Sequence, residues 1–235
     1  MADRVREFYD RAYRTRGHAA QRRYPNEELL RFIGSNFFSL QREQRAKVRV
    51  LEVGCGSGAN LWMIAREGFD AYGLDFSREA LVLARKTLAE WGANATLTEG
   101  SMTKLPYKSD EFDVIVDIFS SCCLNEADFA KFVSEASRVL RARGCLFSYT
   151  PSKESDIFTG SSACERLDAS TLDGIRRETA PYYGSFYPFQ FSSPEDVGDE
   201  VARAGLRIAS LERIGRTYRN CAEYFEFLSY VAEKI

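Results

Sequence analysis

The sequence predicts an α/β fold: a doubly wound, mostly parallel sheet with helices on both faces. Three observations predict it. Apolar runs of strand length alternate with amphipathic helical patterns between residues 48 and 150. The first apolar run passes directly into a glycine-rich turn and a helix start, the junction at which such sheets bind ligands. The chain has 235 residues, 45% of them apolar, which suffices for the core of one domain with a small appendage.

The elements follow in order. Residues 1–45 are polar and read as helices: Val5, Phe8, Tyr9, Ala12 and Tyr13 recur at helical spacing. Pro25-Asn26-Glu27-Glu28 opens a second helix, with Leu29, Leu30, Phe32 and Ile33 on its apolar side. Strand 48–53, helix 58–67, strand 70–75 and helix 78–90 come next. The last of these lines Leu81, Ala84, Leu88 and Trp91 along one face and ends at Gly92. Strand 95–99 precedes strand 112–119, which is the most apolar and so belongs at the sheet centre. Helix 126–140 and strand 144–150 continue the alternation. Residues 151–192 break it with three prolines, three glycines and seven Phe and Tyr residues. Aromatic density of that kind argues against disorder, and an irregular stretch of that length is commonly functional. It reads as a substrate-side insertion or as a flap over a core edge. Ser193-Pro194-Glu195-Asp196 starts a helix to Ala204, and strands 206–214 and 223–232 form an antiparallel pair.

The junction itself reads Leu51-Glu52-Val53-Gly54-Cys55-Gly56-Ser57-Gly58-Ala59-Asn60. Glycines there let the backbone approach a ligand, and the helix start offers unpaired N–H groups to an anion. Gly54-x-Gly56-x-x-Ala59 also fits the dinucleotide fingerprint, so the elbow alone leaves the nucleotide open. Asp75 ends the second strand at the place where a carboxylate meets a ribose diol, and Phe76 follows it, able to pack on adenine. As a plain structural element Asp75 is instead a helix cap, a task Ser77 performs equally well.

These residues resemble the class I S-adenosylmethionine-dependent methyltransferase family of small-molecule type. The resemblance rests on Glu52-Val53-Gly54-Cys55-Gly56-Ser57-Gly58 and Gly73-Leu74-Asp75-Phe76-Ser77. It extends through Leu105-Pro106-Tyr107, Phe112-Asp113-Val114-Ile115-Val116 and Arg138-Val139-Leu140-Arg141, in the family's order. It implies a Rossmann-like sheet of seven strands with one antiparallel, a lid over the cofactor at 1–45 (the alternative being a plain docking helix), and a catalytic domain at 46–235. It implies S-adenosylmethionine as methyl donor, S-adenosylhomocysteine as product, and no metal. By the same resemblance Glu52, Gly54, Cys55, Gly56, Gly58 and Asn60 hold the methionine part, and Asp75, Phe76 and Ser77 the ribose and adenine. Gly100, Ser101 and Met102 then read the adenine edge, where many members carry aspartate in place of Ser101. Asp117, with Ile118, stands where the family meets the amino group or sulfonium; the alternative is a paired carboxylate at a sheet edge.

Composition bounds the partners. A net charge of −2 gives no basic field for nucleic acid. There is neither a membrane-length apolar stretch nor an apolar signal core, which makes a cytoplasmic protein the default. The six cysteines form no CxxC pair and there is one histidine, an unpromising set for zinc. Cysteines 55, 122, 123 and 145 read as small apolar fillers.

The expected acceptor is a small molecule, a metabolite or saccharide, methylated on a hydroxyl oxygen. Nitrogen methylation and a non-catalytic, cofactor-binding regulator remain open, and charge disfavours a nucleic-acid acceptor. His18 is the one side chain whose ordinary pKa lies near neutrality, and is the candidate general base if the lid closes; otherwise it is a surface residue. Tyr13, Tyr24, Tyr149, Tyr182 and Tyr183 are candidate acceptor contacts, with Lys153 and Glu154 beside them. Arg22 and Arg23 are candidate grips for an anionic acceptor or the cofactor carboxylate.

Overall fold

A computed structural model describes residues 2–160 and 165–235; Cys164 lies outside them. The strands are β1 Arg49–Val53, β2 Asp70–Asp75, β3 Thr96–Glu99, β4 Phe112–Ile118, β5 Leu140–Pro151, β6 Thr171–Leu172, β7 Phe189–Gln190, β8 Leu206–Tyr218 and β9 Glu223–Lys234. The helices are α1 Ala2–Arg16, α2 Glu27–Phe37, α3 Arg42–Arg45, α4 Leu61–Arg66, α5 Arg78–Glu90, α6 Glu126–Val139, α7 Asp156–Thr159 and α8 Pro194–Arg203. Seven strands form one sheet in the order β3-β2-β1-β4-β5-β9-β8, and only β9 runs against its neighbours. The expected seven-stranded architecture is therefore the observed one. Strand order reverses between β1 and β4, which opens a crevice at their C-terminal ends.

Side-chain alternation sorts the core into two layers. Val50, Val114 and Val116 face the layer of α2, α4 and α5, whereas Leu51, Val53 and Ile115 face α6 and α8. The helices begin where their caps stand. Asn26 accepts from Glu28 and Leu29 N–H, Asn125 from Asp128 N–H, and Ser193 with Asp196 forms a reciprocal box around Pro194. The motif around Arg138 is structural: its guanidinium donates to the carbonyls of Leu105 and Tyr107 at 3.0 and 2.9 Å, and pairs with Glu135. No helix among the described residues is long and apolar enough to cross a membrane.

Two boundaries differ from the sequence reading. β5 starts at Leu140, because that residue pairs with Phe112 instead of ending the helix. Arg143 then takes a φ of +64° where the register shifts, so the strand carries an irregularity ahead of Gly144. The hairpin strands are longer than expected, joined by a turn with positive φ at Arg219, Asn220 and Cys221. Within 151–192, Phe158, Tyr187, Phe189 and Phe191 are buried, and the segment carries α7 and the β6–β7 pair. Its aromatics meet β9: Phe191 lies 6.0 Å from Phe225.

The N-terminal segment lies over the crevice. α1 packs on α5, and Ser77 Oγ donates to Asp10. Arg4 pairs with Asp173 at 2.5 Å and Tyr9 shares a 2.8 Å hydrogen bond with Tyr187, so α1 meets the insertion. α2 docks on the sheet by stacking Phe32 on Phe147 at 4.4 Å and 11°. Both rings are almost fully buried. Phe32→Ala is expected to cost about 3–5 kcal/mol, the usual range for a core phenylalanine. Urea denaturation checks this, and an unchanged midpoint would mean that α2 is not anchored by that stack.

Candidate active site

Beneath α1, between the elbow and the insertion, lies a cavity of about 900 Å³. This is near the top of the roughly 300–1,000 Å³ range of small-molecule sites. The elbow forms its floor. Gly54 has a φ of +64°, and a Cβ there would stand 2.3 Å from that of Ser120. Gly56, at +54°, is capped from above by Gln21 and by the Tyr13 hydroxyl. Any side chain at these two positions would meet strain and a clash.

Two carboxyls are buried at the elbow. Glu52 Oε1 accepts from Asn60 Nδ2 at 2.6 Å, and Asn60 in turn accepts from Asn26 N–H at 2.9 Å, coupling elbow to N-terminal segment. Glu52 Oε2 is buried with no hydrogen-bond partner. Burial pushes the Glu52 carboxyl up to about 8, against the pull of Asn60 and Arg22. Asp75 accepts from Gly56 and Ser77 N–H, both at 2.8 Å, and burial lifts it to about 6. Phe76 lines the cavity with Arg6 5.8 Å from its ring centre. Arg22 also lines it and forms no salt bridge among the described residues; the enclosing protein lowers its pKa, while Glu52 favours the charged form. Arg23 is used elsewhere, on Glu90 at 2.6 Å.

The sequence-derived residues divide. Glu52, Gly54, Cys55, Asn60, Asp75, Phe76, Ser101, Met102 and Ile118 line the cavity, as do Tyr13, Tyr149, Tyr182 and Tyr183. Gly56 lies beneath Gln21 and Tyr13, and Gly58 sits against Ala84 of α5. Ser77 is fully buried and caps α5, accepting from Ala80 N–H. Gly100 donates its N–H to the Asp75 carbonyl and is not on the cavity wall. Three residues take positions unlike those expected. Asp117 is fully buried and does not line the cavity: it accepts from Ser120 N–H and Oγ, Ser121 N–H and Oγ, and Ser148 Oγ. Its lone pairs are occupied by the protein itself. His18 lies against α5, with Nε2 3.1 Å from Thr87 Oγ1, away from the cavity wall. Tyr24 is exposed and packs edge-on against Trp91.

Sequence reasoning missed Gln21, Phe119, Ser120, Tyr187, Arg216 and Tyr218, all on the cavity wall. Phe119-Ser120 directly follows the central strand, a position that could have signalled them. Arg216 and Tyr218 arrive on β8, far along the chain from the elbow, with no local pattern to mark them. Among the described residues no cluster of His, Cys, Asp or Glu could hold a metal ion.

The strand order and the elbow place the cavity at the switch point of a doubly wound α/β sheet. Residues 50–144 match the family model described as a methyltransferase domain. Demethylmenaquinone methyltransferase of Tropheryma whipplei is 36% identical over 106 residues, 43% of this chain and 42% of that protein. Phthiotriol/phenolphthiotriol dimycocerosates methyltransferase of Mycobacterium leprae is 29% identical over 182 residues, 76% of this chain and 64% of that one. The chain thus spans less than two thirds of the length of both relatives. A SAM-dependent methyltransferase structure from Methanosarcina mazei superposes with a TM-score of 0.70 at 15% identity, covering 90% of this chain and 99% of that one. Residues 50–144 thus match a methyltransferase domain, on a fold shared with S-adenosylmethionine-dependent methyltransferases.

The Asp117 network makes a prediction. Asp117→Ala strands three serine hydroxyls and two N–H groups in or near the core and should cost about 3 kcal/mol or more. Thermal denaturation measures it; a variant as stable as the parent would return Asp117 to the candidates for ligand binding.

Proposed function

We propose that the chain transfers a methyl group from S-adenosylmethionine to a small-molecule acceptor, on a hydroxyl oxygen. One observation carries the donor assignment. Glu52, whose Oε2 is buried with no hydrogen-bond partner among the described residues, and Arg22, which forms no salt bridge among them, both line the cavity and influence one another electrostatically. That combination complements an α-amino-acid head, whose ammonium and carboxylate carry the opposite pattern. A nicotinamide dinucleotide has no such head.

The remaining residues fit the rest of the donor. Asp75 keeps acceptor capacity beyond its two backbone contacts and would take the ribose hydroxyls. Phe76 would pack on the adenine, with Ser101 and Met102 at its edge. The bound donor would supply an electrophilic methyl on a sulfonium, displaced in line. The protein's work is then positioning and exclusion of water, and positioning alone can supply roughly 7–11 kcal/mol. Residues 1–45 act as lid, 46–235 as catalytic domain, and 151–192 as the acceptor-side wall. Enclosure between α1 and the insertion supports a small acceptor over a polymer.

Calorimetric titration with S-adenosylmethionine, S-adenosylhomocysteine and NAD tests the reading, with micromolar binding expected for the first two only. Binding of NAD alone would overturn it. At pH 7 the Glu52 carboxyl is mostly protonated in the empty site, because its value is about 8. An ammonium beside it favours the charged form, so donor binding should release a proton, seen as an enthalpy that varies with buffer. Glu52→Gln should abolish that variation. Asp75→Ala should weaken donor binding by about 10- to 100-fold; unchanged affinity would remove it from the site.

The same carboxyl gives a stability prediction. Glu52 ionises near pH 8 when folded and near 4.5 when unfolded, so its contribution is most favourable below about 4.5 and is lost as pH rises towards 8. Glu52→Gln should flatten that fall in unfolding free energy measured between pH 5 and pH 8; a slope equal to the parent's would show that the carboxyl is not so perturbed.

A further inference from the structure

The half of the cavity beyond the elbow has walls of a different kind. Where β4 and β5 end and the β8–β9 hairpin crosses, it is lined by Phe119, Tyr149, Tyr182, Tyr218 and Phe227. Tyr149 stacks on Phe227 at 4.6 Å and 16°, and Tyr182 lies 4.6 Å from Phe119 at 32°. Phe119 and Tyr182 both hold positive φ, +59° and +64°. That conformation costs a bulky side chain of order 1–3 kcal/mol and persists only where the surroundings impose it. Together these rings form flat walls suited to a planar guest.

The guanidinium of this half is Arg216, close enough to Tyr149 for mutual electrostatic influence; Arg22, within electrostatic reach of both Glu52 and Tyr149, stands between this half and the elbow. Among the described lining residues there is no histidine, lysine or aspartate at this end. The carboxylate there, Glu27, is engaged by Arg216. Burial lifts the hydroxyls of Tyr149, Tyr182 and Tyr187 well above the ordinary tyrosine range, which keeps them neutral hydrogen-bond donors. The walls thus offer flat faces, O–H donors and the Arg216 guanidinium, but no group poised to remove a proton from an unactivated alcohol.

From this we infer that the acceptor is a planar conjugated acid, a phenol, enol or hydroxyquinone that reaches the cavity already ionised, and that Arg216 and the tyrosine hydroxyls hold its anionic oxygen. The inference rests on the methyl-donor reading above and specifies its acceptor. The acceptor loses its proton to solvent before binding. Its oxygen lone pair then forms the new C–O bond as the methyl C–S bond breaks, and that electron pair returns to sulfur. An anion and a sulfonium give two products without those charges, so no protein base is required. Cationic amines would meet guanidinium charge, and aliphatic alcohols would find no base.

A matched series on one bicyclic ring tests this with the full chain: hydroxynaphthoquinone, naphthol, naphthylmethanol and naphthylmethylamine, each with S-adenosylmethionine, following S-adenosylhomocysteine formation. Turnover is expected for hydroxynaphthoquinone first and naphthol second, with pH profiles that shift according to each acceptor's own ionisation. Arg216→Gln should raise KM for hydroxynaphthoquinone about tenfold, with S-adenosylhomocysteine affinity retained. Preference for the alcohol or the amine overturns the inference, as does a pH profile fixed by the protein whatever the acceptor. So does absence of both turnover and binding of hydroxynaphthoquinone to protein loaded with S-adenosylhomocysteine. Failure of S-adenosylmethionine itself to bind in calorimetry would instead reject the donor reading, so the two failures are told apart.

Discussion

The carboxylate of Asp117 fixes the point at which the sheet changes direction. It stands opposite Val53 in the β1–β4 register and gathers Ser120, Ser121 and Ser148 around it. Ser120 Oγ also lies 2.8 Å from the Val53 carbonyl, so one residue ties the end of β4 to the end of β1. The position of Ser120 then dictates glycine at 54, since a Cβ there would overlap the serine. The elbow's shape is thus imposed from the neighbouring strand as much as by its own residues. A buried acid is tolerable at the sheet centre because the serine hydroxyls and N–H groups around it all donate to its oxygens.

The elbow carboxyls are in the opposite condition. Glu52 is as buried as Asp117 but keeps one oxygen without a partner, and its carboxyl is pushed up to about 8 as a result. Of these two buried acids, one is fully engaged by donors of the protein and the other has an oxygen left over among the described residues. The N-terminal segment enforces this difference. It covers the elbow through Tyr13 and Gln21 and is held by Asn26 on Asn60 and by Arg4 on Asp173, contacts that reach both the elbow and the insertion.

The fold was legible because its signals are local: buried strands, caps and a glycine turn lie in contiguous residues. The elbow side of the cavity was legible for the same reason, since Glu52, Asp75 and Phe76 sit at strand ends whose position follows from the pattern. Asp117 misled because a strand-end acid looks alike in sequence whether it faces a ligand or three serines. His18 misled because chemistry singled it out while Thr87, its partner on α5, gave no sign in the sequence. The aromatic half could not be assembled in advance. Tyr149, Tyr182, Tyr218 and Phe227 come from a strand end, the insertion and the two hairpin strands, and only the long β8–β9 pairing brings them together.

That arrangement divides the molecule along the chain as well as in space. The region matching the methyltransferase domain ends at residue 144, whereas those four aromatic wall residues all lie after it. Phe119 is the wall residue inside the matched region, and it follows the central strand directly. Substitutions in the insertion or the hairpin would therefore reshape one end of the cavity while the glycine turn and the Asp117 junction stay untouched.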